Sequence, residues 1–121
     1  MVVRLKNATI DSLETTETRR LLLMKIVSKS DGAVLELELP EVLCGPFKEK
    51  DKIDVRIDAK EITKGDQAKL YVEGTVFKVT NEKNFDVIAA VGGLKFNLSL
   101  SDPKPSQKKI FSSDRFYLTL D

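Results

Sequence analysis

Apolar and polar residues alternate one by one along much of this chain. Leu35, Leu37 and Leu39 alternate with Glu36 and Glu38, and Ile53, Val55, Ile57 and Ala59 with Lys52, Asp54, Arg56 and Asp58. Leu94, Phe96, Leu98 and Leu100 alternate with Lys95, Asn97 and Ser99. Phe116, Leu118 and Leu120 do the same with Arg115, Tyr117 and Thr119. Successive side chains of a strand point to opposite faces, so each run predicts a half-buried strand with one face in a core.

Weaker strands fill the intervals. Val2 to Ile10 and Leu21 to Ser28 read as strands. Between them, Asp11 to Arg20 is polar. Ser12 is a candidate helix cap there, but Thr15, Thr16 and Thr18 favour extended structure, and a loop is the preferred reading. Ser30-Asp31-Gly32 predicts a turn, and Pro40 ends the following strand because it has no N–H to give a ladder. An irregular crossover with Gly45-Pro46 is expected over residues 40–50, and a polar loop over Lys60 to Lys69, containing Lys64-Gly65-Asp66. Ala68 to Val79 predicts a long strand that changes face. Leu70, Val72 and Val76 share one phase, Tyr71, Phe77 and Val79 the other, and Gly74 between them is the expected bulge or bend.

Val91-Gly92-Gly93-Leu94 has the form of a two-residue hairpin, since paired glycines supply the positive φ angles such turns need. With the glycines at the tip, Val91 faces Leu94, Ala89 faces Phe96, Val87 faces Leu98 and Phe85 faces Leu100. On the other face, Ala90 meets Lys95 and Asp86 meets Ser99. A one-residue slip would turn the polar set inward, so the register is strongly specified. Ser101 to Ser113, with Pro103 and Pro105, is expected to be a loop before a final strand from Asp114 to Leu120. About eight short strands and no clear helix predict an all-β sandwich or small closed barrel, a single domain over residues 1–121.

Composition narrows the function. Apolar residues form 41% of the chain, enough for a packed core, and no run approaches the roughly 20 residues that span a bilayer. Arg4, Lys6 and Asn7 interrupt the N-terminus as a signal sequence, and the single cysteine, Cys44, fits a reducing compartment; a cytoplasmic location is expected. There are 20 Lys and Arg against 19 Asp and Glu, a net charge of +1. A domain that grips phosphates by itself usually carries a clear basic excess.

The common catalytic chemistries find no residues. There is no histidine for a general base or triad, one cysteine cannot build a Cys-rich metal site, and no phosphate-binding glycine loop precedes a helix. Asp54, Arg56 and Asp58 read as a solvated charged face, and Cys44 as a small packing residue without a base to activate it. No catalytic residue, metal or cofactor is expected. Lys104, Lys108 and Lys109 in the late loop are candidate nucleic-acid contacts. Lys48, Lys50 and Lys52 form a second cluster, diluted by Glu49 and Asp51. Tyr71, Phe77 and Tyr117 are candidate stacking faces, although Phe77 also suits the core beyond the bend.

Three segments carry a family likeness: Tyr71-Val72-Glu73-Gly74-Thr75-Val76-Phe77-Lys78-Val79, Ala90-Val91-Gly92-Gly93-Leu94, and Ser113-Asp114-Arg115-Phe116-Tyr117-Leu118. In this order they resemble the small eighth subunit shared by eukaryotic nuclear RNA polymerases and found in some archaea. The N-terminal half matches only in strand pattern and order. The resemblance implies a closed OB-fold-like barrel of eight strands at the periphery of the polymerase, bound chiefly to the largest subunit and away from the catalytic centre. Eukaryotic members carry a long acidic insertion before the Tyr71-like strand, where this chain has only Lys60 to Lys69, so it looks like the archaeal form. Gly92, Gly93 and Leu94 are the candidate partner contact, because glycines let another backbone approach closely. The competing class is a free-standing OB-type module that binds single-stranded nucleic acid.

Overall fold

The alternating runs become antiparallel strands: β1 (Val2–Thr15), β2 (Leu21–Ser28), β3 (Ala33–Pro40), β4 (Lys52–Asp58), β5 (Leu70–Asn81), β6 (Phe85–Val91), β7 (Leu94–Leu100) and β8 (Arg115–Leu120). The computed structural model describes residues 2–17, 20–29, 32–63, 65–101, 104–112 and 114–121, without the side chains of Val2, Asp66 and Ser106. The strands follow one another as β1-β2-β3-β7-β6-β5-β8-β4, and β4 returns to β1. The result is a closed, OB-fold-like barrel. Closure leaves no complete sheet edge to cover.

Alternation places one face of every strand inside. Leu35, Leu37, Ile57, Val87, Leu98 and Leu118 are fully buried. At the centre the Phe96 and Phe116 rings lie 4.8 Å apart at 48°, and Phe111 meets Phe116 edge-on at 5.8 Å. Such tilted contacts suit the charge distribution of aromatic rings.

β1 is longer than its sequence suggests. It pairs with β4 over Val2–Thr9 and with β2 over Thr9–Thr15, so one bent strand joins both sides of the barrel. Irregularities between Leu5 and Ala8 and between Ile10 and Ser12 bend it, with Asn7 at φ +58° in the first. The predicted loop over residues 11–20 is therefore strand as far as Thr15; its bulges break the alternation that would have revealed it. Thr18 and Arg19 lie outside the described residues, as do Ser30, Asp31 and Lys64.

The change of face in β5 occurs at Phe77, not at Gly74. Val76 pairs with Ala89 and Lys78 with Ile88, which leaves Phe77 as the extra residue. Gly74 stays in register opposite Phe116. Phe77 is 70% exposed, so it is not part of the core.

The hairpin has the expected register, with Val91 opposite Leu94, Ala89 opposite Phe96, Val87 opposite Leu98 and Phe85 opposite Leu100. Gly92 and Gly93 take φ of +57° and +81°. The expected loop before β8 instead contains a helix, α1 (Pro105–Ile110), while Asp102, Pro103 and Ser113 lie outside the described residues. Pro105 suits a first helical turn, and the Gln107 side chain accepts from the Lys104 N–H at 2.9 Å. Burial of Ile110 and Phe111 at the barrel end holds this short segment, which is too brief to show a helical period.

Candidate functional site

The β3–β7 ladder ends at Leu37 opposite Phe96. Beyond it the strands separate, and the Glu38 carboxylate accepts from the Lys95 N–H at 3.0 Å. The separation opens a shallow groove of about 300 Å³ lined mainly by Leu39, Pro40, Leu43, Val72, Val91 and Leu94. A 3-10 turn, Glu41–Cys44, follows β3 and carries Val42, 83% exposed, beside the half-exposed Leu43. Leu94 is half-buried, and Gly92 and Gly93 are exposed with open space where side chains would stand.

Gly92, Gly93 and Leu94 thus meet at one end of the barrel. Sequence reasoning missed Val42 and Leu43. Their signal was an apolar pair inside Pro40-Glu41-Val42-Leu43-Cys44-Gly45-Pro46, a crossover that offers no strand partner to cover them. Cys44 points inward; burial, and after it the Glu41 charge, pushes its thiol pKa up.

The candidate nucleic-acid contacts lie elsewhere. Lys104 precedes α1, and Lys108 and Lys109 occupy its last turn. Lys104 and Lys109 are exposed, whereas Lys108 is half-buried with Nζ 6.0 Å from the centre of the Phe85 ring. Phe85 begins β6 and the hairpin tip ends it, so the lysines and the groove stand roughly 20 Å apart at the usual strand rise. In the Lys48-to-Lys52 cluster, Lys52 donates to the Thr9 hydroxyl at 2.6 Å and Lys50 reaches Asp11 at 3.8 Å.

The aromatic candidates do not form one platform. Tyr71 and Tyr117 pair with ring centres 6.3 Å apart. Desolvation and then the Glu73 charge raise the Tyr117 pKa. Phe77 stands apart, beyond the 3.5 Å ion pair between Arg115 and Glu73. Among the described residues, no helix is long and apolar enough to cross a membrane.

Fold and surface define a small closed barrel with an apolar groove at the glycine hairpin. No protein-family model matches the chain, and no curated protein matches it in sequence.

Proposed function

We propose that this chain is a non-catalytic, peripheral subunit of an archaeal-type DNA-directed RNA polymerase, docking on the largest subunit and supporting assembly or stability of the transcription complex in the cytoplasm. The observation that carries this reading is the groove beside Leu94, with Val42 and Leu43 exposed at its side. Contiguous apolar surface of this kind favours a protein partner. The C-terminal segments that resemble the polymerase subunit include the glycine hairpin at this groove. A balanced charge suits a subunit held by protein contacts rather than by phosphates.

The test is co-purification of the polymerase subunits with tagged chain. Wild type should bring down the largest subunit, and Leu94→Asp should fold but lose it. Recovery of no polymerase subunit with wild type would remove the proposal.

The second reading, a free-standing binder of single-stranded nucleic acid, is favoured by exposed Phe77, a stacking face on an OB-like barrel. A salt titration with a single-stranded oligonucleotide separates the two: tight binding by the isolated chain at physiological salt favours the second.

A further inference from the structure

On the outer face of the barrel, Arg4 of β1 lies directly opposite Arg56 of β4, Arg56 opposite Thr119 of β8, and Thr119 opposite Tyr71 of β5. Two like charges in direct cross-strand register repel each other. Among the described residues they are only partly relieved. The Arg4 guanidinium has no ion pair or hydrogen bond among the described residues. Arg56 reaches Asp58 only loosely, with Nη2 3.7 Å from Oδ2, and its Nε is buried without a hydrogen-bond partner.

Two of the acids nearby already accept backbone hydrogen bonds. Asp54 accepts from the Asn7 N–H at 2.9 Å, and Asp58 accepts from the Lys60 N–H at 3.2 Å. Asp121 also lines the space, beside Asp54, with which it exchanges backbone hydrogen bonds.

A roof covers the row. The segment after β4 folds back so that the Ile62 N–H donates to the Tyr71 hydroxyl at 3.1 Å, and Gly65 lies so close to the Tyr71 ring that a Cβ would stand 2.9 Å from it. Between roof and row is a cleft of about 380 Å³, within the size range of small-ligand sites. Arg4, Lys6 and Arg56 line it together with Thr63, Gln67 and Thr119. Thr119 is only 7% exposed, and its hydroxyl bonds to no described residue.

We propose that this cleft binds a phosphate group between Arg4 and Arg56. A phosphate offers several acceptor oxygens and enough charge for two guanidiniums, and a turn of the Arg56 side chain toward the cleft would give its buried Nε a partner in a forked contact. The site is independent of the docking surface and does not rest on the polymerase reading. The phosphate belongs to a free nucleotide or to the end of a nucleic-acid strand.

The experiment follows backbone amide shifts of the isolated full chain during titration with inorganic phosphate at low salt. Nucleoside triphosphate, and oligonucleotides with and without a 5′-phosphate, form the other arms. Saturable shifts are expected at residues 4, 56, 63 and 119. Arg4→Gln, at an exposed position that leaves the fold intact, should weaken binding about tenfold, as should Arg56→Lys, which keeps the charge and loses the fork. Lys83→Ala, in the exposed turn between β5 and β6, should bind as wild type. Tighter binding of the triphosphate marks a nucleotide site, and a preference for the 5′-phosphorylated strand marks a strand-end site. Absence of saturation by about 10 mM phosphate, or unchanged binding by Arg4→Gln, overturns the proposal.

Discussion

Gly74 of β5 and Phe116 of β8 are cross-strand partners, and the Phe116 ring occupies the space that a side chain at position 74 would need. The glycine is required for packing, not for backbone freedom. Gly74→Ala should therefore cost about 1–3 kcal/mol, as overpacked cores do, measured by urea unfolding. Gly93→Ala meets no atoms but holds φ at +81°, so its cost should be about 1–2 kcal/mol from backbone strain alone. Restoring space with the double variant Gly74→Ala, Phe116→Leu should recover part of the first loss and has no counterpart for the second.

The Tyr71 hydroxyl holds the segment after β4 through the Ile62 N–H. Tyr71→Phe removes that acceptor and should lower stability by about 1 kcal/mol. Hydrogen exchange should quicken at Ile62 while the amides of Val87 and Leu98, inside the barrel, keep their protection.

Val42 lies exposed in a turn with little to lose on folding. Val42→Asp should leave unfolding within about 0.5 kcal/mol of wild type, as surface substitutions do. On the docking proposal it should nevertheless reduce recovery of the largest polymerase subunit. Normal recovery with both Val42→Asp and Leu94→Asp would move the interface away from this groove.

Isolated chain should bind single-stranded oligonucleotides weakly and without sequence preference, with a shallow dependence on salt. Its net charge is +1, Lys108 is occupied with Phe85, and Phe77 stands apart from the tyrosine pair. Lys104→Glu with Lys109→Glu should reduce what binding remains. Submicromolar affinity at physiological salt would reverse the ranking of the two functions.

Burial raises the Cys44 pKa above its ordinary 9.0, with Glu41 adding to the shift. The fold thus favours the protonated thiol. Its contribution to stability is intact below pH 9 and is lost as pH rises from 9 through the raised folded value. Alkylation at pH 8 should be much slower than in urea, where the thiolate is both exposed and more abundant. Glu41→Gln should raise the native rate only slightly, because desolvation is the larger cause.

Some of this was written in local sequence. Alternation of single residues named the faces of β3, β4, β7 and β8, and Gly92-Gly93 set the hairpin register, because a strand's period and a tight turn depend only on neighbours. Gly92, Gly93 and Leu94 were legible as a surface feature for the same reason. Tertiary structure alone decided the strand order, the bulge at Phe77 and the helix held by Ile110 and Phe111. It also decided that β3 and β7 part beyond Leu37, leaving Leu43 beside Leu94, and that Arg4, Arg56, Thr119 and Tyr71 form one row. These relations join residues far apart in the chain, and barrel closure, not any local preference, determines which of them meet.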